Sequence, residues 1–246
     1  MATKVTLKDL LEAGAHFGHQ AKRWNPKMKP YLFGVRGGVH IFDLAKTKEG
    51  LEKAAAYIRK VTAQGGLVVF VGTKRQAAEI VKEEAQKAGM PYVCERWLGG
   101  TITNWEQIKK SLDKLEEMKE KRKKEEYKEF TKKENLLIDR KIARLERFLG
   151  GLVSLKGLPE AIFVVDTKKE ETAVREAKQK EIAVVALVDS NADPDLIDLI
   201  IPVNDDAIGA VKLVVETIGQ AAKEGRLAWE KKGKGKGKIQ EKEAEK

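Results

Sequence analysis

Cations alternate with aromatic side chains in one segment near the N-terminus, residues 22–36, which we call the basic block. Cations neutralise phosphates and flat rings stack on bases, so this combination is typical of RNA-binding surfaces. Trp24 stands among cations and prolines and is expected to face a partner, with a place in the core as the alternative. Phe33 lies on a predicted strand and is expected to be a core residue. The predicted RNA-contacting members of the block are Lys22, Arg23, Trp24, Asn25, Lys27, Lys29 and Arg36.

A second candidate for phosphate binding is Gly72-Thr73-Lys74-Arg75, which follows an apolar run. A helix N-terminus and two cations after a buried strand would suit a phosphate. The chain has no Gly-x-x-x-x-Gly-Lys-Ser/Thr sequence, and no Gly-x-Gly-x-x-Gly follows a strand, so the glycine cradle of a nucleotide site is missing. We therefore predict that Lys74 and Arg75 contact an RNA phosphate, with a mononucleotide as the alternative.

Four aspartates follow predicted strands: Asp166, Asp189, Asp205 and Asp206. Ligands of open parallel sheets bind at the carboxyl edge, and these carboxylates are expected to meet there. The arrangement would suit a phosphate-receiving switch of the response-regulator type, which is the enzyme-like rival to RNA binding. Helix capping and loop hydrogen bonds explain the same residues without catalysis. A calcium loop beginning at Asp189 fails, because Pro194 occupies the position that requires glycine.

His16 and His19 lie three residues apart, close enough to bind one metal ion from a helical turn. No third ligand is visible nearby, so we expect them to pack or to contact RNA instead. We predict no metal and no cofactor for this chain.

The net charge of +10 is distributed unevenly over the 246 residues. Residues 1–48 carry +6, residues 105–149 and 223–246 carry +4 each, and the rest of the chain carries −4. A polyanion would therefore bind to extensions of a slightly acidic core, driven largely by counterion release. No run approaches the roughly 20 apolar residues that span a bilayer, and the N-terminus lacks the apolar region of a signal peptide. A single cysteine, Cys94, excludes an internal disulfide and fits a cytoplasmic protein.

The elements that position these residues alternate between strands and helices. Gly65–Gly72 is a valine-rich run typical of a strand buried on both faces. Thr73 and Gln76 form a capping box that predicts the start of a helix, and Gly89 predicts its end. This alternation favours a mostly parallel sheet with helices on both faces. Further strands are predicted at 91–94, 161–165, 182–188 and 199–203, further helices at 48–64, 167–180 and 205–222, and a hairpin at 31–35 and 39–42.

One segment, residues 103–151, interrupts the alternation. Its apolar residues recur at spacings of three and four, from Trp105 to Met118 and from Ile138 to Leu149, as in the seam of a coiled coil. We predict an antiparallel helical hairpin with a loop near 127–130. Its Lys/Glu-rich stretch 116–134 is expected to be a solvated face, with direct RNA contact as the alternative. Capping boxes are predicted at Thr103/Glu106, Thr131/Glu134 and, beyond the hairpin, Thr167/Glu170.

The chain therefore divides into four predicted parts. They are a basic N-terminal extension with the β-hairpin (1–46), an α/β sheet domain (47–102 and 152–226), the coiled-coil hairpin insert (103–151) and a disordered basic tail (227–246).

Six short segments form a specific pattern in a fixed order. They are His16-Phe17-Gly18-His19, Arg23-Trp24-Asn25-Pro26-Lys27-Met28, Gly72-Thr73-Lys74, Arg96-Trp97-Leu98-Gly99-Gly100, Asp189–Asp195 and Asn204-Asp205-Asp206-Ala207. Together they resemble the bacterial small-subunit ribosomal protein S-two family over about residues 4–226. The one departure is Val203, where many members have glycine.

The resemblance implies a three-layer, flavodoxin-like domain with a protruding helical hairpin. It also implies a structural constituent of the small ribosomal subunit, in cytoplasmic ribosomes, that binds rRNA between head and body and joins late in assembly. Neighbouring small-subunit proteins, including the large RNA-binding protein S-one, are the implied protein partners. Arg96 and Trp97 lie in a loop expected to meet RNA or a neighbour, and they complete the predicted set. No catalysis, small-molecule substrate or membrane partner is implied.

Overall fold

The computed structural model describes the backbone of residues 5–244 and the side chains of residues 5–232. Its N-terminal part contains a short helix, α1 (Leu7–Glu12), followed by a three-stranded antiparallel sheet. The strands are β1 (Phe17–Gln20), β2 (Leu32–Arg36) and β3 (Val39–Phe42), with β3 in the middle. Gly37 and Gly38, both with positive φ, make the turn between β2 and β3, which confirms the predicted hairpin.

Helix α2 (Leu44–Ala63) leads into a second sheet of five parallel strands. It begins four residues before its predicted start, because the side chain of Asp43 accepts the N–H of Ala45 and caps it. The five strands are β4 (Val68–Val71), β5 (Tyr92–Val93), β6 (Ala161–Val165), β7 (Ala183–Val188) and β8 (Leu199–Pro202). Their spatial order, β5-β4-β6-β7-β8, is that of flavodoxin-like folds. Every residue of β4 and β6 is buried, as the continuous apolar runs predict.

Helices cover both faces of this sheet and give the predicted three layers. The remaining helices are α3 (Ala78–Ala88), α4 (Trp105–Lys123), α5 (Lys132–Leu149), α6 (Glu171–Gln179) and α7 (Ile208–Ala244). Alternate residues of a strand point to opposite faces, so Phe70 packs with α2, α3 and α7. Its neighbour Val69 packs on the other side, with α6 and the ends of α4 and α5.

Helices α4 and α5 form a helical hairpin between β5 and β6, which we call the arm. Ion pairs link Lys119 to Glu146 (2.5 Å) and Arg122 to Asp139 (2.8 Å), as an antiparallel pair requires. The predicted apolar positions Ile108, Leu112, Leu115 and Met118 of α4 are buried. On α5 only Leu149 is fully buried, and the other three predicted positions are half-buried. The finer prediction of a coiled coil stays a prediction.

The predicted capping boxes have mixed outcomes. The box of Thr131 and Glu134 is confirmed, and α5 begins at Lys132. The other three are wrong, because their threonines are not the N-caps: α3, α4 and α6 begin five, two and four residues after them, at Ala78, Trp105 and Glu171. Thr73 and Thr103 instead donate their hydroxyl groups to the buried glutamates Glu170 and Glu176. A charged acceptor from a distant segment replaces the local cap because charge-assisted hydrogen bonds are the stronger ones.

The predicted end of the last helix is also corrected: α7 continues to Ala244, whereas we predicted an end near 222. The predicted disordered tail over 227–246 stays a prediction. A helix already nucleated on the core propagates past 222 through Arg226–Lys232, a stretch of mostly good helix formers without glycine. Residues 245 and 246 lie outside the described residues. None of the helices described is long and apolar enough to cross a membrane.

Candidate RNA-binding surface

Most of the basic block lies in the connection between β1 and β2, which forms two turns of 3-10 helix. Met28 is fully buried, whereas its neighbours Lys27 and Lys29 are exposed. The side chain of Asn25 accepts the N–H of Lys27 (3.0 Å), and the N–H of Asn25 donates to the carbonyl of Ser190 (2.7 Å). The block is therefore fixed to the core at Met28 and Asn25, while its cations stay at the surface.

Trp24 is half-buried and lies against His40 of β3, with ring centroids 4.7 Å apart and the planes at 31°. His40 is buried, and desolvation holds the pKa of its imidazole below the ordinary value. A neutral imidazole therefore supports one side of the indole. One side of the Trp24 ring therefore packs on the protein, and the rest of the ring is accessible to a partner.

Lys27 is neutralised within the protein. Its ammonium group lies 2.8 Å from Asp193 and also contacts Asp195, both in the loop after β7. Hydrogen bonds to Asp193 and then Asp195 raise the pKa of Lys27. These ion pairs hold the acidic loop against the basic block, and they reduce the charge that Lys27 offers to a phosphate.

Four other cations of the basic block differ from Lys27 in having no ion pair with the described residues. Lys22, Arg23, Lys29 and Arg36 are exposed, and none forms an ion pair with the part of the chain that the structure describes. Arg75 and Arg96 are exposed as well. These six side chains are the members of the predicted set whose charge remains available to a partner.

Lys74, in contrast, points into the carboxyl edge of the parallel sheet. Its ammonium group lies 2.5 Å from Asp206, 2.8 Å from Asp205 and 3.5 Å from Asp166. Burial alone would lower the pKa of Lys74, but the hydrogen bonds to Asp205 and Asp206 raise it well above its ordinary value. Three carboxylates from distant loops therefore already surround the charge of Lys74, and its contact with an RNA phosphate stays a prediction.

The predicted cluster of aspartates is confirmed at this edge. Asp205 donates its N–H to Asp189 (3.2 Å), and burial, followed by the charges of Asp189 and Asp166, raises the pKa of the Asp205 carboxyl to about 7. His19 of β1 contacts Asp189 through Nδ1 (2.9 Å) and approaches Asp206 through Nε2 (3.6 Å). The hydrogen bond to Asp189 raises the pKa of His19, against the opposing effect of burial.

This carboxyl-edge cluster fills the place where ligands of such folds bind. Lys74 occupies the centre with its own ammonium group, and His19 ties the N-terminal sheet to it. His16 does not share a site with His19; its ring lies against Phe17, with centroids 3.9 Å apart. Within residues 5–232, no three or more His, Cys, Asp or Glu side chains are placed to hold a metal ion.

Trp97, another member of the predicted RNA-binding set, has a hydrogen-bond partner inside the protein. Its ring is buried, and its indole N–H donates to Glu176 of α6 (3.1 Å). The residue is used inside the protein, at the base of the arm, and the adjacent Arg96 remains at the surface. An aromatic next to a cation has the composition of an RNA contact, and the sequence contains no signal that Glu176 lies within reach.

An apolar surface on the N-terminal sheet escaped the sequence analysis. Phe33, predicted to be a core residue, is 82% exposed, and Leu11, Phe17 and Val35 are about half exposed. With Ile41 they line an open groove of about 750 Å³. The alternation in β2 correctly separates Phe33 and Val35 from Leu32 and Gly34, but alternation does not say which side of a strand is covered.

Comparison with known proteins decides the family. The model of the family described as ribosomal protein S2 matches residues 10–225. The chain belongs to the ribosomal protein S2 family. It is 52% identical over 221 residues to the small ribosomal subunit protein uS2 of Chloroflexus aggregans, covering 90% of this chain and 93% of that protein. It is 50% identical over 222 residues to the protein of the same name from Coprothermobacter proteolyticus, covering 90% and 83%.

The S2 match includes the basic block, the carboxyl-edge cluster and the whole arm, so the resemblance found in short motifs extends over the described fold. The match also decides against the hypothesis of an enzyme-like, phosphate-receiving switch. The ribosomal protein S2 family is a family of structural proteins and not of enzymes.

Proposed function

We propose that this protein is a structural constituent of the small ribosomal subunit, in cytoplasmic ribosomes, and binds small-subunit rRNA and neighbouring proteins during late assembly and translation. The names of its relatives support the placement in the small subunit. The observation that carries the RNA contact is the group of surface cations around Trp24 that have no ion pair within residues 5–232, held on the core by Met28 and Asn25.

The proposed RNA contacts differ in kind. Lys22, Arg23, Lys29 and Arg36 are exposed and would neutralise phosphates, which fixes position and dominates affinity. Trp24 offers one indole edge or face for stacking, and its other side rests on His40. Arg75 and Arg96 extend the cationic surface beyond the block.

In this proposal four members of the predicted set position other groups and do not supply the main RNA contacts themselves: Lys27, Lys74, Asn25 and Trp97. Each has a partner in the folded protein, and each holds a surface segment or loop in place. They position the groups that touch RNA and contribute little charge to it themselves.

The apolar surface suits a protein neighbour better than RNA. An exposed phenylalanine beside Leu11, Phe17 and Val35 provides a contiguous apolar area, which marks protein contacts on soluble domains. We assign it to a small-subunit protein neighbour, S-one being the partner that the family resemblance implies. Loss of S-one from subunits containing Phe33→Ser, with rRNA binding unchanged, would support this assignment.

The proposed RNA contact is tested by replacing Lys22, Arg23, Lys29 and Arg36 with alanine. Affinity for small-subunit rRNA should fall, and the slope of log K against log salt should flatten by about three units, close to one per phosphate lost. Filter binding over a salt series measures both quantities.

A matched control removes four exposed lysines elsewhere: Lys60, Lys82, Lys156 and Lys168. It has the same net charge as the test variant and should keep most of the slope. Equal losses in both variants would mean that net charge, rather than the basic block, governs binding.

A further inference from the structure

Glu176 of α6 is the centre of a dense group of hydrogen bonds at the base of the arm. The residue is 7% exposed, although its side chain is a carboxylate. Its two oxygens accept five hydrogen bonds, all from the loop that joins β5 to α4. The donors are Trp97 Nε1 (3.1 Å), Gly100 N (2.8 Å), Ile102 N (3.0 Å), Thr103 N (3.1 Å) and Thr103 Oγ1 (3.1 Å).

These hydrogen bonds keep the carboxylate ionised. Burial alone would raise the pKa of Glu176, but the backbone N–H groups of Thr103, Gly100 and Ile102 outweigh it and hold the pKa below the ordinary value. Hydrogen bonds to an ionised acceptor are shorter and about twice as strong as neutral ones. One side chain of α6 therefore fixes the path of the backbone immediately before α4 begins.

The C-terminal end of the arm, where the chain leaves α5, is attached to β5 and the loop that follows it. A Cβ on Gly151 would lie 2.2 Å from the carbonyl oxygen of Tyr92, so the chain leaving α5 approaches β5 as closely as only glycine permits. Arg147 of α5 also pairs with Glu95, with Nε and Nη2 at 2.8 and 2.6 Å. The two helices of the arm are thus fixed at separate points, one on α6 and one on the edge strand.

We propose that Glu176 is the positioning residue that sets the direction of the arm relative to the sheet. Apolar packing of Ile108, Leu112 and Leu149 holds the base of the arm, and the two separated polar attachments fix the paths of the chain into and out of it. A fixed direction lets the arm and the basic block contact one subunit at the same time. Once one of them is bound, the other is held near its own binding site at a high effective concentration. This last consequence rests on the proposed function; the positional role does not.

The direct test is Glu176→Gln, compared with Glu171→Gln on the same helix. Glutamine keeps the shape of the side chain but places an amide NH₂ against N–H donors, so some of the five hydrogen bonds must break. Glu171 is exposed and pairs with Arg175 in the following turn, so its variant controls for the loss of one charge from α6. Spin labels at Lys128→Cys on the arm and Lys60→Cys on α2, with Cys94→Ser, report the distance between arm and sheet domain.

In Glu176→Gln the distance distribution is expected to shift or to become at least twice as wide, with the circular dichroism of the sheet domain retained. The control should match the parent protein. An unchanged distribution in a folded Glu176→Gln protein would overturn the positional role, whatever the protein binds.

Incorporation into subunits lacking this protein tests the consequence. It should fall about tenfold in Glu176→Gln, because one of two linked contacts loses its preset geometry, while affinity for an rRNA fragment that meets only the basic block stays the same. A widened distribution with normal incorporation would show that the direction of the arm has no part in assembly.

Gentler variants keep the proposal testable if glutamine prevents folding. Thr103→Val and Trp97→Phe each remove one side-chain donor and leave the charge of Glu176 in place. Each should widen the distance distribution by a smaller amount, and a parent-like distribution in both would contradict the positional role.

Discussion

The basic block and the carboxyl-edge cluster use the same kind of side chain in opposite situations. Lys22 and Arg23 are exposed and unpaired among the residues described, whereas Lys74 is surrounded by carboxylates from the loops after β6 and β8. Lys27 lies between these cases, exposed but paired with two aspartates. The availability of a cation to RNA therefore depends on acids brought from distant parts of the chain, and the local sequence does not reveal it.

The largest expected difference between the two regions is in stability. Lys74→Met leaves Asp166, Asp205 and Asp206 without their shared counter-charge in a mostly buried place. Breaking such a pair from one side costs about 3–5 kcal/mol, so the free energy of unfolding at neutral pH should fall by about that amount. Urea unfolding followed by circular dichroism measures it.

Lys22→Met provides the comparison from the basic block. An exposed, unpaired lysine contributes little, and a change within about 0.5 kcal/mol is expected. If both substitutions cost the same, the distinction between a structural and an available lysine would be wrong.

The next largest difference concerns pH. Burial, with the charges of Asp189 and Asp166, raises the pKa of Asp205 to about 7 in the folded protein, whereas an unfolded aspartate titrates near 3.9. The folded protein thus holds this proton more tightly. The resulting stability is complete below about pH 4 and is lost as the pH rises through about 7, a change of about 4 kcal/mol.

Asp205→Asn should remove this dependence. Between pH 4 and 7 the stability of the parent protein is expected to decline relative to that of the variant, as measured by urea midpoints at each pH. Asp139→Asn on the arm changes an exposed aspartate and should keep the parental profile. Parallel profiles for the parent and Asp205→Asn would show that Asp205 ionises normally in the fold.

The smallest expected effect is on RNA affinity and concerns Lys27, which is exposed but paired with two aspartates. Replacing Asp193 and Asp195 with asparagine releases its ammonium group towards RNA. Affinity should rise a few-fold, and the salt slope should steepen by about one unit, as for one additional phosphate contact. The matched double change on the arm, Asp113→Asn with Asp139→Asn, removes the same charge away from the block. A slope that changes equally in both doubles would place Lys27 outside the RNA contact.

Sequence patterns predicted the elements whose signal is local and repeated. The valine-rich runs predicted β4, β6 and β7 because strands buried on both faces need apolar residues at every position. The Thr131 box and Gly89 marked helix ends correctly because their partners lie within one turn. The grouping of the aspartates followed from topology, since parallel strands end at one edge.

Predictions failed where a local motif met a distant partner. Thr73 and Thr103 look like caps, but the buried carboxylates of Glu170 and Glu176 accept their hydroxyl groups instead. Phe33 looks like a core residue because a strand has two faces and the sequence does not say which one is covered.

The sequence alone determined the layered α/β fold, the inserted hairpin and the family, because these follow from the order and period of apolar residues and from short motifs. Only the tertiary structure decided which of the cations are free and which glutamate fixes the arm. Those outcomes depend on distances between residues far apart in the chain, such as Lys74 and Asp205 or Thr103 and Glu176. Charge interactions and hydrogen bonds act over a few ångströms of space, and separation along the sequence says nothing about them.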